Sequence, residues 1–542
     1  MVSIPSAHPP SPAQHSQAEP TLTLAVSLLI SYVAYRAVYA LVPALAQDLV
    51  AKGLKGRDML KIGFKRDETA TEDADAGDEV PGRKYLPEAT GVIGASVYIL
   101  LLSLFAPLPY LSSLLPSSLL SPSSSFSLPG LNTTSNLLLP TDADDPCAAL
   151  LLEGSLAFPH HSFATYLASL LSLLIATFLG FCDDVFDIRW RFKLPIPVIA
   201  SVPLLVTYAA GHGVTDIVLP KFFKIRELFN VVATNGVLHL GPLYYVYMSM
   251  LSTFCTNSIN ILAGVNGVEV TQSLLIGLSI ILNDLLYLTF SPAPFLPLLS
   301  LLPASLRPSP EALQHLSKQT WSAGFAHGSQ ELADRHLFSL YFMLPLVGVC
   351  LGLLRHNWYP ANAFIGDTFC YFSGMAFAVV GILGHFSKTL LLFFLPQIFN
   401  FLYSVPQLFG LVPCPRHRLP RLDPKTGRLV CSWAPIPPPA QRTGRQKVGV
   451  VLLKMVAPLG LVKLQYERDS DSDPNDNNER GEIVACTNLT ILNLLLLWGG
   501  SVREDVLTRR MGYLQLAGSA IAFGIRYGLG GWAYGGRAAG RE

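Results

Sequence analysis

Charge is what this chain of 542 residues has least of: Asp, Glu, Lys and Arg make up 14% of it, where a soluble domain carries about 25%. The few charges also cancel, 38 Lys and Arg against 37 Asp and Glu. That balance excludes a nucleic-acid binder working through bulk positive charge and an acidic disordered chain. The eight cysteines, at 147, 182, 255, 350, 370, 414, 431 and 486, contain no CxxC pair, which excludes a disulfide framework and a zinc site. No Walker A sequence occurs, which argues against an ATP-driven pump. Residues 1–20 lack a basic segment and read as a disordered tail rather than a signal peptide.

Apolar residues account for 51% of the chain, and they come in long blocks rather than amphipathic faces. Blocks of this length mean membrane. Ten of them lie near 21–46, 91–110, 163–182, 195–211, 243–263, 272–289, 337–354, 368–384, 388–412 and 512–530. Lipid offers backbone groups no water, so each block must be a helix. The expectation is an all-α polytopic membrane protein of about ten transmembrane helices. Residues 21–542 form one integral-membrane domain, with a small cytosolic insertion at 413–511 between the last two spans. Three further stretches read as low-complexity insertions: 67–79 with seven acids, the Ser/Leu/Pro-rich 112–145, and the polar 467–480.

Orientation follows from the loops. Basic residues crowd the loops after blocks one (Lys52 to Lys84), three (Arg189, Arg191, Lys193) and nine (Arg416 to Lys447), while 111–162 holds no Lys or Arg. The basic loops face the cytosol and both termini face the other side. The sequon Asn132-Thr133-Thr134 then lies on the far side, and Asn488-Leu489-Thr490 lies on the cytosolic side, where it is silent.

Ionisable residues at membrane depth are costly and mark function by default. Asp183 and Asp184 close block three in GFCDDVFDIRWRFK. Adjacent carboxylates beside Asp187 suit magnesium, which takes one or two carboxylates and shares its other positions with water and phosphate. A snorkelling acid pair at a helix end fits the composition equally well. Block five ends in CTNSINILAGVNGVE, where Asn257, Asn260, Asn266 and Glu269 interrupt an apolar run. Amide glue between helices is the plain alternative, but three amides with an acid favour a polar ligand. In HNWYPANAFIGDTFC, Pro360 breaks a helix and Gly366-Asp367 restarts one. Asp367 is either an N-terminal cap or a further acid on the same face. After block nine, Pro413, Pro415 and Pro420 surround Arg416, His417 and Arg418. Arginine forks match phosphate oxygens, although positive-inside charge alone would also put basic residues there. Acids for a metal, amides for a head group and arginines for phosphates together make a kit for phosphoryl transfer. A transporter would set its polar residues near the bilayer midplane. A transporter or scaffold without catalysis is the competing class, and the intact acids at 183, 184 and 367 argue against it.

These motifs resemble those of the polyprenyl-phosphate N-acetylhexosamine-1-phosphate transferases, and most of all the eukaryotic branch. The resemblance is densest in GFCDDVFDIRWRFK, in YYVYMSMLSTFCTNSINILAGVNGVE, in HNWYP, from GDTFC through PCPRHRLPRL, and in the terminal IRYGL. It implies transfer of GlcNAc-1-phosphate from UDP-GlcNAc to dolichyl phosphate in the endoplasmic reticulum membrane, with the active site facing the cytosol. Magnesium is the implied cofactor; membrane lipid is a partner, nucleic acid is not, and a homodimer is compatible. Carried over by position, Asn260 and Asp367 resemble the magnesium ligands, and Asp183 and Asp184 the catalytic pair. Lys193 resembles the lysine that meets the acceptor phosphate. Asn257 joins the substrate-binding set, with Asn266 as the uracil contact and Phe364 as a stacking partner. Arg416, His417 and Arg418 resemble the contacts to pyrophosphate and N-acetyl group. Glu88 with Arg57, Asp58 and Met59 matches a first cytosolic loop bordering the nucleotide sugar.

Overall fold

A computed structural model describes residues 20–56, 85–111, 158–186, 188–193, 195–211, 213–218, 233–234, 237–290, 309–325, 329–415, 418–467 and 482–530. Each of the ten apolar blocks coincides with a helix or a helix pair. In chain order these are α1 (Pro20–Ala51), α2 (Gly91–Phe105), α3 (His160–Phe186), α4 (Pro195–Ala210), α5 (Pro242–Ile261), α6 (Val268–Leu285), α7 (Gln330–Asn357), α8 (Gly366–Leu383), the pair α9 (Ser387–Phe393) and α10 (Leu395–Leu408), and, after α11 (Gly444–Val456) and α12 (Ile491–Gly499), α13 (Glu504–Phe523).

Six of these, α1, α2, α3, α6, α7 and α8, are long and apolar enough to cross a bilayer, and α9 with α10 makes a seventh if that pair, bent by 70°, is one span. The remaining three blocks fall short for visible reasons. Helix α4 has 16 residues. Helix α5 carries Ser, Thr, Tyr and Asn along its length, and α13 opens with Glu504, Asp505, Arg509 and Arg510. The stretches read as tail and insertions, 1–20, 67–79, 112–145 and 467–480, fall almost wholly outside the described residues. Among the described residues the seven cysteines are free thiols.

Helix α8 is the axis of the molecule. Every residue from Thr368 to Ile382 is buried, as expected of a helix apolar on all sides. It packs against α3, α5 and α2, while α1 lies along α7 and α6 sits between α7 and α13. The α5 contact is close enough to demand a glycine: a Cβ on Gly374 would stand 2.4 Å from Thr256 Cα.

Among the described residues five small antiparallel sheets lie in the segments between the long helices, an addition to the all-α expectation. Their strands are two to five residues long, too short to show an alternating pattern against apolar blocks. Between α10 and α13, the sheet Trp433–Pro435, Ile483–Thr487 and Leu464–Tyr466 closes over a core of Val412, Ala434, Ile436, Leu453, Val462 and Cys486. A second cluster ties this unit to the helices through Leu262, Val265, Val268, Leu429, Leu492, Leu507 and Met511.

Candidate functional site

The site grows from the start of α8. Gly366 enters that helix at φ +72°, a left-handed conformation that glycine adopts without penalty. The residues after it have free N–H groups, as every helix start does. The side chain of Asp184, at the end of α3, satisfies them: Oδ1 accepts the N–H of Asp367 at 2.5 Å and Oδ2 accepts the N–H of Thr368 at 3.0 Å. The Thr368 hydroxyl donates to the same Oδ2. Among the described residues the Asp367 carboxylate accepts no backbone N–H, so the cap alternative for that residue falls away.

Asp183 and Asp367 face one another across a lysine. Lys193, on the single helical turn Trp190–Lys193, places Nζ 3.0 Å from Asp183 Oδ2 and 2.9 Å from Asp367 Oδ2. The Asp183 side chain is fully buried, whereas that of Asp367 is 28% exposed. Tyr371 donates its hydroxyl to Asp183 Oδ2 at 3.3 Å and Ile188 its N–H to Oδ1 at 3.1 Å. Burial works against the charge of Lys193, yet its bonds to Asp367 and then Asp183 outweigh that and hold its pKa above the ordinary lysine value.

Three further loops close on this centre. Thr90 donates both its N–H and its hydroxyl to Phe364 O, at 3.0 and 2.7 Å, Gly91 N–H donates to Ile365 O at 2.8 Å, and Phe364 N–H donates to Pro87 O at 2.9 Å. This zipper brings Glu88 and Phe364 together at Gly56, where a Cβ would lie 3.0 Å from Phe364 Cδ2 and 3.1 Å from Glu88 Oε2. Partial burial, and then the charge of Asp367, raise the pKa of Glu88. Asn357, buried at the end of α7, accepts the Gly267 N–H at 3.0 Å and donates to Ala363 O at 3.0 Å, tying the Asn266 loop to the Phe364 loop. Asn266 is held by its backbone: its N–H donates to Glu504 Oε1 at 2.7 Å and its carbonyl accepts from the Thr508 hydroxyl at 2.8 Å. Glu269 accepts the Gly264 N–H at 2.7 Å. Gly264, at φ +93°, leaves room for Leu419, whose Cδ2 would be 2.5 Å from any Cβ there. The loop carrying Arg418 is thereby brought against the Asn266 loop.

Asp183, Asp184, Lys193 and Asp367 therefore form one bonded cluster, with Glu88 and Phe364 beside it. Asn257 donates back to Thr253 O at 2.9 Å within its own helix, and no hydrogen bond joins it or Asn260 to the acids among the described residues. Arg57, Asp58, Met59, Arg416, His417 and Asp187 lie outside the described residues. Arg418 is described, and its Nη1 is shut off from solvent with no hydrogen-bond partner among the described residues. Sequence reasoning missed Thr368, Asn357, Glu504 and Tyr371 as supports of the site. Asn357 had a signal, a lone amide closing a long apolar helix; Thr368 and Tyr371 had none beyond their proximity to Asp367.

The donors present fit magnesium. They are hard oxygens, and the part-exposed Asp367 carboxylate, whose Oδ2 meets Lys193, accepts no helix N–H among the described residues, so a cation would share it with the lysine. Among the described residues no cluster of three or more His, Cys, Asp or Glu forms a ready metal cage, and magnesium typically uses one or two carboxylates and completes its shell with water and substrate phosphate.

Comparison with known proteins identifies the family. The model of glycosyl transferase family 4 matches residues 166–385, the span from α3 to the end of α8. The UDP-N-acetylglucosamine–dolichyl-phosphate N-acetylglucosaminephosphotransferase of Schizosaccharomyces pombe is 37% identical over 506 residues, covering 92% of this chain and 90% of the relative. The protein of the same name from Saccharomyces cerevisiae is 34% identical over 500 residues, covering 92% and 89%. That from Dictyostelium discoideum is 41% identical over 365 residues, covering 67% and 68%. With such identity along nearly its whole length, the chain belongs to the UDP-N-acetylglucosamine–dolichyl-phosphate N-acetylglucosaminephosphotransferase family.

Proposed function

We propose that this protein transfers GlcNAc-1-phosphate from UDP-GlcNAc to dolichyl phosphate, giving GlcNAc-diphosphodolichol and UMP, the first step of lipid-linked oligosaccharide synthesis for protein N-glycosylation. The observation that carries the chemistry is the Lys193 ammonium held between Asp183 and Asp367; the relatives' names carry the substrates. All ten helical segments are read as spans of the endoplasmic reticulum membrane, with the acid cluster on the cytosolic face that the basic loops define.

The acceptor phosphate monoester has a second pKa of about 6, so at cytosolic pH it is mostly a dianion and needs no strong base. One of its oxygens attacks the β-phosphorus in line; the new P–O bond forms as the bond to the bridging oxygen breaks, and UMP departs with that oxygen. The difficulty is bringing two anions together. Lys193, anchored by Asp183, offers its ammonium to the acceptor phosphate. Arg418, whose buried Nη1 has no hydrogen-bond partner among the described residues, offers a donor to the diphosphate, and Arg416 and His417 extend that clamp to the sugar. Asn257, Asn266, Phe364 and Glu88, with Arg57, Asp58 and Met59, line the nucleotide-sugar side. Asn260 and Asp367 would hold magnesium, which supplies neutralisation of phosphate charge when bound. Both oxygens of Asp184 are committed to α8, which favours direct displacement over a covalent aspartyl phosphate on that residue.

The test is transfer of radiolabel from UDP-GlcNAc into organic-extractable lipid by purified protein with dolichyl phosphate and magnesium. Label should enter the lipid phase and EDTA should stop it; label that stays aqueous under all conditions would refute the assignment. Topology is tested separately in sealed microsomes. A tag placed in 67–79 should be open to external protease, and endoglycosidase should lower the mass through Asn132.

A further inference from the structure

The loop 413–418 bears Arg416, His417 and Arg418, and its prolines at 413 and 415 have no N–H with which to hold it in shape. A buried frame of side chains grips both of its ends instead. At the near end Gln407 Nε2 donates to Pro413 O at 3.2 Å. At the far end Asn493 Nδ2 donates to Arg418 O at 2.9 Å, and Ser432 Oγ donates to the same carbonyl at 3.2 Å. The two ends are joined internally. Gln407 Nε2 donates to Asn488 Oδ1 at 2.8 Å, Asn488 Nδ2 to Ser432 Oγ at 2.9 Å, and Ser432 N–H to Asn493 Oδ1 at 2.9 Å. Gln407, Asn488, Ser432 and Asn493 are 1%, 1%, 4% and 1% exposed.

Members of such a network in a dry environment reinforce one another, and losing one leaves others unsatisfied. The frame draws on α10, on the chain just before the strand Trp433–Pro435, on the residue just after the strand Ile483–Thr487 and on α12, so it references the loop to the helical bundle and the small sheet unit together. Asn488 and Thr490, which spell a glycosylation sequon, are both buried here, and Thr490 Oγ1 accepts from Asn493 Nδ2 at 2.8 Å. The sequon pattern thus has a structural use.

We infer that Gln407, Asn488, Ser432 and Asn493 are positioning residues that set recognition of the sugar-phosphate half of the donor by fixing both ends of the loop 413–418. The inference rests on the reading that this loop receives the sugar diphosphate. UMP lacks the β-phosphate and the sugar, so it reports on the nucleotide side alone.

The experiment compares KM for UDP-GlcNAc, KM for dolichyl phosphate and the inhibition constant of UMP in Asn493→Asp. That change keeps an acceptor for Ser432 and removes the Nδ2 that donates to Arg418 O and to Thr490 Oγ1, of which only the first bond touches the loop. One lost buried hydrogen bond should raise KM for UDP-GlcNAc roughly tenfold, with the other two constants within about twofold of wild type. Ser432→Ala, which removes one hydroxyl and adds no charge, should give the same pattern at roughly threefold, and it decides the matter if Asn493→Asp does not fold. A parallel rise in the UMP constant, or no rise in KM for UDP-GlcNAc, would overturn the inference. Arg418→Ala is measured alongside: if it leaves KM for UDP-GlcNAc unchanged, the reading of the loop has failed rather than that of the frame.

Discussion

Asp184 starts the helix that carries Asp367. Its Oδ1 receives the Asp367 N–H at 2.5 Å and its Oδ2 the Thr368 N–H at 3.0 Å, so α3 and α8 are joined by a cap across 183 positions of sequence. An ordinary cap comes from the residue preceding the helix. Here that residue is Ile365, which offers no side-chain bond. The two neighbouring acids thus act separately, with Asp184 aiming the helix and Asp183 facing the lysine.

The junction is tightest at Gly366, where a Cβ would lie 2.6 Å from Asp184 Oδ2 and 2.7 Å from Oδ1. Gly366→Ala should therefore push the carboxylate off the helix start and turn Asp367 aside. A cap is worth about 1 kcal/mol and the left-handed backbone at Gly366 costs an alanine roughly 1–2 kcal/mol more, so loss of melting temperature should be moderate. Misplacing a reacting group by ~1 Å costs on the order of 100-fold in rate, so turnover should fall far more than stability. Thermal unfolding and transfer rate are measured on the same preparation; a variant with wild-type turnover would show that the cap does not aim the site.

Asp367→Ala makes the complementary case, because its carboxylate accepts no backbone N–H among the described residues and is 28% exposed. Its removal should leave the fold within about 1 kcal/mol, the scale of a surface ion pair, and abolish nearly all transfer. Magnesium should also raise the melting temperature of wild type and fail to do so in this variant, since ligand binding to the native state stabilises it. An equal magnesium shift in both proteins would remove Asp367 from the metal site.

Much of the frame was legible because lipid leaves few options: all ten apolar blocks are helical, and their polar ends hold the acids. The count of spans was harder to read, since α4 is short and α5 and α13 carry polar residues. The site was legible where chemistry is local, as in Asp183-Asp184 and Gly366-Asp367. It was not legible where function is shared across the chain. Nothing in the sequence near Asp184 says that its partners are the amides of 367 and 368, and nothing near Arg418 points to Asn493. Small sheets such as Lys55–Gly56 against Leu86–Pro87 were invisible because two residues carry no periodicity.

Lys193 is the only cation bonded to both Asp183 and Asp367 among the described residues. Lys193→Met removes it and leaves the fully buried Asp183 uncompensated, at a cost of about 3 kcal/mol. Transfer should be lost, and the KM for dolichyl phosphate in any residual activity should rise more than that for UDP-GlcNAc. Lys193→Arg keeps the charge and should restore stability better than rate, because the guanidinium fork differs in reach and shape from an ammonium. Equal effects on both substrates would argue that Lys193 only neutralises the acids.

Glu88 supplies the pH dependence. Its pKa is raised from the ordinary 4.5 by partial burial first and by the charge of Asp367 second. The fold therefore favours the protonated form. The stability gained from Glu88 is full below the unfolded pKa and is lost as pH rises through the folded value. Glu88→Gln mimics the protonated form at every pH, so its melting temperature should match wild type in acid and exceed it progressively as pH climbs above the ordinary glutamate range. Magnesium, by offsetting the Asp367 charge, should narrow that gap but not close it, because burial is the larger cause. The check is the difference in melting temperature between the two proteins across pH, with and without magnesium. A gap that shrinks with rising pH would have the opposite sign and would mean that Glu88 is stabilised as the carboxylate.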